Sequence, residues 1–134
     1  MNDLEIKNIP DLYTQILEET EKRGFTMSSD LKICSLLRTL VVSKPDGSFL
    51  ELGTGTGLST SWILDGMSSN STVISIDNDS GFQKVANKFL GSDNRLTLNE
   101  TDGENWIKEN SKLRFDLIFA DTWPGKYSLL EETL

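Results

Sequence analysis

Three glycines at alternate positions form the most informative cluster in the sequence. They lie within the segment Glu51-Leu52-Gly53-Thr54-Gly55-Thr56-Gly57-Leu58-Ser59, directly after an apolar run. Glycine lets the backbone turn tightly and approach a ligand closely. The free N–H groups at the start of the helix that follows favour an anion. The turn therefore predicts a ligand-binding site that accepts an anionic group.

The spacing of the glycines narrows the choice of ligand. A dinucleotide-binding turn would place its third glycine at position 58, where the sequence has Leu58. A phosphate-binding loop would end in Gly-Lys-Ser/Thr, and that ending is absent here. The turn thus disfavours both NAD and ATP.

A carboxylate, Asp77, ends the next apolar run, Val73-Ile74-Ser75-Ile76. A carboxylate at the end of a strand can accept two hydrogen bonds from ribose hydroxyls. Asp77 or Asp79 could instead cap the following helix, and capping by one leaves the other for ribose. A calcium loop is excluded because Phe82 stands where an EF-hand requires glycine. Asp77 is therefore the predicted ribose ligand.

The elements that position these residues follow from the hydrophobic periodicity. Residues 1–47 read as two helices, the first with Leu12, Ile16 and Leu17 on its apolar side. Residues 48–134 alternate short apolar runs with helical patterns. The predicted strands are 49–52, 72–76, 95–98 and 115–120. Strands separated by helices predict a doubly wound parallel α/β sheet with helices on both faces. Ligands bind beyond the carboxyl ends of such strands, which is where the glycine turn and Asp77 lie.

Composition excludes several functional classes. The 134 residues fit a single domain, and 37% hydrophobic with 25% charged residues predicts a folded globular protein. The net charge of -8 repels a phosphate backbone, so nucleic acid is not an expected partner. The chain has no histidine, which excludes His-ligated zinc and Ser-His-Asp triads within it.

Two further expectations concern the thiol and the location of the protein. The one cysteine, Cys34, lies among apolar neighbours and is predicted to be buried and unreactive. The sequence has neither a secretory leader nor an apolar stretch long enough to span a membrane. We therefore expect a cytoplasmic protein with no membrane partner.

The glycine turn, with an acidic residue two places before its first glycine and Asp77 after the next strand, resembles class I S-adenosylmethionine-dependent methyltransferases. The resemblance implies a Rossmann-like sheet of strand order 3-2-1-4. It implies that Glu51 and the glycines hold the methionine end of the cofactor and that Ser59 meets its carboxylate. The cofactor-binding residues that it implies are Glu51, Gly53, Thr54, Gly55, Gly57, Ser59, Asp77, Asn78, Asp102, Gly103 and Trp123.

Asp102 carries two readings. It lies after the third strand, where the family often places an aspartate near the adenine amino group. It could equally cap the short helix around Trp106. Trp106 itself is predicted to belong to the core rather than to stack on a ligand.

The fourth strand is followed by Asp121-Thr122-Trp123, which resembles the Asp-x-Trp of the catechol O-methyltransferase-like branch. By that resemblance Asp121 is a Mg²⁺ ligand and Trp123 lines the adenine or methyl pocket. The branch has its basic lysine directly after the tryptophan, whereas this chain has Pro124 there and Lys126 two residues later. Base catalysis by Lys126 is thus a hypothesis. Without a metal, Asp121 would approach the acceptor or the positive end of the cofactor.

The resemblance implies an O-methyltransferase that acts on a hydroxyl of a small molecule. The alternative is a non-catalytic methyltransferase-like remnant that serves as an interaction module. The family sheet has seven strands and the sequence predicts four, so we expect residues 1–134 to be one partial domain, truncated after the fourth strand. An apolar fourth strand at the edge of the sheet would invite pairing with another chain, which predicts a homo-oligomer.

Overall fold

The computed structural model describes residues 8–25 and 31–120. Two helices, α1 (Asp11–Lys22) and α2 (Leu31–Val42), precede an alternation of strands and helices. The strands are β1 (Ser48–Leu52), β2 (Thr72–Asp77), β3 (Leu96–Glu100) and β4 (Leu117–Ala120). The helices between them are α3 (Leu58–Gly66), α4 (Ser80–Leu90) and α5 (Gly103–Glu109).

The four strands form one parallel sheet in the order β3-β2-β1-β4. Both the doubly wound architecture and the predicted strand order are confirmed. The order reverses direction between β1 and β4, so the first crossovers go one way from β1 and the last goes the other. Such a reversal opens a crevice at the carboxyl ends of the strands. The glycine turn follows β1 and therefore lies at this crevice.

Alternation along β1 divides the core into two layers. Phe49 packs with residues of α1, α2, α3 and α4 on one face of the sheet. Leu50 and Leu52 pack on the other face with Trp106 of α5. Successive side chains of a strand point to opposite faces, so Glu51 shares the face of Phe49 and lies under α3. Trp106 belongs to the core, as predicted.

The two N-terminal helices pack on the α3 side of the sheet. Tyr13 and Ile16 of α1 are buried, and the ring of Tyr13 meets Trp62 of α3 edge to face. The expectation that Leu12 lies on the buried side is wrong, because Leu12 is 37% exposed and Tyr13 takes the inward position. Cys34 of α2 is buried, as the sequence predicts.

Arg38 fastens α2 to α3. Its guanidinium forms an ion pair of 2.9 Å with Asp65 and lies 4.4 Å from the centre of the Trp62 ring. A planar guanidinium can serve both partners at once, through its edge and its face. Across residues 8–25 and 31–120, no helix is long and apolar enough to cross a membrane.

Candidate functional site

The glycine turn is anchored to the end of the neighbouring strand. The backbone N–H groups of Gly53 and Thr54 both donate to the carbonyl of Ile76, at 2.7 and 3.1 Å. The N–H of Gly57 donates to the carbonyl of Thr54 at 3.0 Å and closes the turn. The φ angles of Gly53, Gly55 and Gly57 are 103°, 56° and 101°, a region that L side chains rarely adopt. The glycines are thus required by the shape of the turn.

The turn leads directly into α3 at Gly57. Gly57 is the N-cap residue, and because glycine has no side chain it makes no capping hydrogen bond itself. The first-turn N–H groups of a helix have no partner within the helix, and together with the helix dipole they favour an anion. This end of α3 suits a ligand carboxylate, and the predicted contact with the cofactor carboxylate stays a prediction.

Asp77 lies at the end of β2 and contacts the turn directly. Its Oδ2 accepts a hydrogen bond of 2.8 Å from the N–H of Gly55, and its Oδ1 accepts one of 2.9 Å from the N–H of Asp79. Asp79 is the residue that caps α4, since its side chain accepts from the N–H of Phe82. Capping therefore falls to Asp79, and Asp77 is left to orient toward the turn. The next residue, Asn78, is exposed.

Glu51 is the centre of a buried hydroxyl network beneath the turn. Its side chain is 1% exposed and accepts hydrogen bonds from three hydroxyls. Ser59 donates to Oε2 at 2.6 Å, whereas Thr60 and Ser75 donate to Oε1. Ser59 and Thr60 come from α3, and Ser75 is the register partner of Glu51 on β2. The carboxylate thus joins β1, β2 and α3 directly below the glycines.

The network continues from Ser75 to the third strand. The hydroxyl of Thr54 lies 2.6 Å from that of Ser75, and the amide of Gln83 donates to the carbonyl of Asn99 at 2.9 Å. The same amide lies 3.4 Å from Thr54 Oγ1. Three buried side chains, those of Thr54, Ser75 and Gln83, therefore connect the turn, β2 and α4. The backbone carbonyl of Asn99 extends this connection to β3.

Sequence reasoning missed Thr60, Ser75 and Gln83. Ser75 interrupts the apolar run of β2, and a polar residue inside a buried strand was the available signal. Thr60 and Gln83 carry no comparable signal, because each lies within a helical pattern that accommodates a polar residue.

Asp102 and Gly103 lie at the end of β3. The Asp102 carboxylate is exposed and accepts a hydrogen bond of 2.9 Å from the N–H of Glu104, so Asp102 caps α5. The N–H of Thr101 donates to the backbone carbonyl of Asp77 at 3.0 Å, which holds the ends of β2 and β3 side by side. Capping uses one oxygen, Oδ1, of this carboxylate.

Three predicted residues, Asp121, Trp123 and Lys126, lie outside the described residues. The described residues contain no group of three or more acidic, cysteine or histidine side chains that could hold a metal ion. The Mg²⁺ prediction thus depends entirely on Asp121 and stays a prediction.

Comparison with protein families gives one decisive match. The family model described as a methyltransferase domain matches residues 50–128, which is more than half of the chain. This chain belongs to that methyltransferase-domain family. The match covers the glycine turn, Asp77, Asp102 and Asp121, the four places at which the sequence predicts the site.

Solved structures share the fold of this methyltransferase domain. The O-methyltransferase TomG of Streptomyces achromogenes, in complex with S-adenosylmethionine, superimposes with a TM-score of 0.83 at 16% identity, over 97% of this chain and 61% of its own. An O-methyltransferase of Bacillus cereus, bound to S-adenosylhomocysteine, gives a TM-score of 0.80 at 19% identity, over 98% of this chain and 62% of its own.

A third structure extends this comparison. The methyltransferase PaMTH1 of Podospora anserina, bound to S-adenosylhomocysteine, gives a TM-score of 0.76 at 25% identity, over 98% of this chain and 60% of its own. This methyltransferase domain thus spans about three fifths of the length of these proteins. None of the curated protein sequences matches it.

Proposed function

We propose that this methyltransferase domain binds S-adenosylmethionine and supplies the cofactor half of an O-methyltransferase that acts on a hydroxyl of a small molecule. The observation that carries the proposal is the hydrogen bond between Gly55 and Asp77, since it brings the glycine turn into contact with the carboxylate to which we assign ribose binding. Family membership and the cofactor-bound relatives support the same ligand.

The donor and acceptor groups of the crevice fit the two ends of this cofactor. The turn and the N-terminus of α3 present N–H groups for the cofactor carboxylate. Asp77 retains lone pairs on both oxygens beside its two hydrogen bonds, and these can accept ribose hydroxyls. We assign the exposed Asn78 to the same cofactor site and Asp102 with Gly103 to its adenine end.

Glu51 and Ser59 serve the ammonium end in this proposal. Thr60 and Ser75 are fully buried, whereas Ser59 is only half-buried. Ser59 is therefore the hydroxyl that an incoming ammonium group can replace at Oε2 of Glu51. The freed Ser59 hydroxyl then turns toward the cofactor carboxylate. The other two hydroxyls keep the Glu51 carboxylate in place.

When bound, the cofactor supplies an electrophilic methyl group on a positively charged sulfur. The protein has to fix donor and acceptor in line and to exclude water, and this requires no histidine. By the resemblance to the catechol O-methyltransferase-like branch, Trp123 lines the pocket, Asp121 binds Mg²⁺ or the acceptor, and Lys126 takes the hydroxyl proton. In this proposal, these residues select the hydroxyl compound that accepts the methyl group.

Calorimetric titration of the full chain with S-adenosylhomocysteine tests the proposal. We expect micromolar binding that Asp77→Ala abolishes. Absence of heat at millimolar ligand would contradict cofactor binding and leave the non-catalytic interaction module. Incubation with S-adenosylmethionine and a panel of catechols and other phenols, followed by mass spectrometry, then tests methyl transfer by this chain.

Assembly and location form a separate part of the proposal. Within residues 31–120, β4 pairs with β1 along one edge, and its four residues Leu117–Ala120 are half-buried. We propose that a second copy covers this apolar edge in a cytoplasmic homo-oligomer. Sedimentation of a monomer at all concentrations would contradict the oligomer.

A further inference from the structure

The carboxyl-terminal half of α1 reaches the glycine turn from outside the nucleotide-binding sheet. Thr20 is 1% exposed, although it lies on a helix that precedes the sheet in the chain. Its hydroxyl donates to the carbonyl of Ile16 at 2.6 Å. The same hydroxyl oxygen lies 3.0 Å from Oγ1 of Thr56, and the two hydroxyls are hydrogen-bonded. Thr56 stands between Gly55 and Gly57 and is also 1% exposed. The helix thus bonds to the middle of the turn.

Two more contacts hold the same end of α1 against α4. Phe25, which follows α1, packs edge to face on Phe82 of α4 with ring centres 5.0 Å apart. Glu19 forms an ion pair of 3.3 Å with Lys88 of α4. Phe82 is the residue whose N–H is capped by Asp79, close to Asp77. The end of α1 therefore contacts both segments that form the crevice, the glycine turn and the start of α4.

The Thr20–Thr56 bond acts on a glycine-rich segment whose backbone does not by itself favour a single conformation. Gly53, Gly55 and Gly57 have positive φ angles, and glycine visits many other conformations at little cost. A turn of this composition needs fixed contacts on its intervening residues. Thr54 is held by Ser75 from below, and Thr56 is held by Thr20 from the side. Ser75 belongs to β2 of the sheet, whereas Thr20 belongs to α1, which precedes the first strand in the chain.

We propose that Thr20 is a positioning residue for the cofactor turn: through Thr56 it fixes the turn between Gly55 and Gly57 in the conformation that binds the methionine end of the cofactor. The role rests on the proposed function, because it concerns the affinity of the same turn. It also makes docking of α1 and binding of the cofactor reciprocal, so that each strengthens the other. Thr20 touches no reacting atom.

The test compares three variants of the full chain. Thr20→Val keeps the shape of the side chain and removes the hydroxyl, and Thr20→Ser keeps the hydroxyl. Ile16→Val is the matched control, since it weakens the packing of the same helix, one turn earlier, without touching the bond to Thr56. We measure the Kd for S-adenosylhomocysteine by calorimetry and the hydrogen exchange of the amides of Gly55, Thr56 and Gly57.

A lost hydrogen bond of ordinary strength raises the Kd about fivefold. We expect this rise, with faster exchange of the turn amides, for Thr20→Val and not for Thr20→Ser or Ile16→Val. Thr56→Val removes the same bond from the other side and should not add to Thr20→Val in the double variant. It also serves as the second variant if Thr20→Val does not fold.

Unchanged Kd and unchanged exchange in Thr20→Val overturn the positioning role. The same change in Ile16→Val at equal loss of stability also overturns it, because the effect would then come from helix packing. If the wild-type chain does not bind S-adenosylhomocysteine, the proposed function fails. Exchange of the turn amides in the free protein still decides whether Thr20 holds the turn.

Discussion

The backbone N–H of Gly55 donates a hydrogen bond of 2.8 Å to Oδ2 of Asp77. The bond crosses from the turn after β1 to the end of β2, two elements that the parallel register brings side by side. Because the other oxygen of Asp77 accepts from Asp79, both oxygens are oriented before any ligand arrives. A preorganised acceptor loses little entropy on binding.

Removing the charge of Asp77 should weaken cofactor binding strongly. Asp77→Asn keeps the size of the side chain but replaces one acceptor oxygen by a donor, which would face the N–H of Gly55 or of Asp79. Hydrogen bonds to a charged acceptor contribute about 1.5–3 kcal/mol, so we expect the Kd for S-adenosylhomocysteine to rise roughly 10- to 100-fold. Isothermal titration calorimetry measures this change.

Asp65→Asn is the matched control for that experiment. It makes the same change of charge at an exposed carboxylate whose partner is Arg38 on α2, away from the turn. We expect its Kd to equal that of the wild type. Equal weakening by both variants would show that overall charge, and not Asp77, determines the affinity.

Periodicity predicted the parallel sheet and glycine spacing predicted the position of the turn, whereas the strand order was implied by the resemblance to class I methyltransferases. The Glu51 network was not predictable in the same way. Its donors Ser59, Thr60 and Ser75 stand 8, 9 and 24 residues from Glu51. They meet because Glu51 points to the face of β1 that α3 covers and because Ser75 is its register partner on β2. The exact direction of these side chains is set by packing in the core.

Asp102 illustrates the opposite difficulty. Its position at the end of β3 was predictable, and so was a helix cap or an adenine contact at that place. The structure places it as the cap of α5. Local backbone geometry decides capping, whereas a ligand contact is decided by the ligand, so the adenine role stays a prediction.

Replacement of Gly57 by alanine should destabilise the fold by more than backbone strain alone. At φ 101° an added Cβ would lie 3.0 Å from Leu90 Cδ1 and 3.2 Å from Ala86 Cβ of α4. Strain in the left-handed region costs about 1–2 kcal/mol, and crowding in a packed core adds about 1 kcal/mol or more. We expect a total loss of about 2–3 kcal/mol in the free energy of unfolding, measured with urea.

Gly24→Ala separates the two causes. Gly24 has φ 77°, but an added Cβ there meets no atom within 4 Å. It should therefore show the strain alone, about 1–2 kcal/mol. Equal losses for the two variants would contradict the packing of Gly57 against α4.

The ion pair of Asp93 with Arg95 should make stability depend on pH in the acid range. Arg95 lies 2.7 Å from Asp93 and its hydrogen bonds lower the pKa of that carboxyl below the ordinary 3.8. A lowered folded-state pKa contributes stability that is present above the unfolded value and is lost as the pH falls through the folded value. Thermal melts of the wild type and Asp93→Asn should therefore differ at neutral pH and converge as the pH falls through the lowered folded-state pKa of Asp93.

Arg95 also donates to the carbonyl of Met67 at 2.9 Å, beyond the end of α3. Asp93→Asn leaves that bond in place, so the variant isolates the ion pair. A difference in melting temperature that stays constant down to the lowest pH would show that lost packing, and not the carboxylate charge, is the cause.

Glu51→Gln should weaken the hydrogen-bond network beneath the glycine turn while keeping the size of the side chain. The carboxylate accepts hydrogen bonds from three hydroxyls, whereas a glutamine offers one acceptor oxygen and an NH₂ group that must meet oxygen acceptors. Two of those hydroxyls, on Thr60 and Ser75, are fully buried and have little room to reorient. We expect a loss of about 1–3 kcal/mol in the free energy of unfolding, together with weaker binding of S-adenosylhomocysteine.

Ser59→Ala removes the half-buried donor alone, and because water can replace its contact, it should change stability by less than Glu51→Gln does. The reverse ranking in urea unfolding would show that Ser59, and not the carboxylate, holds β1, β2 and α3 together.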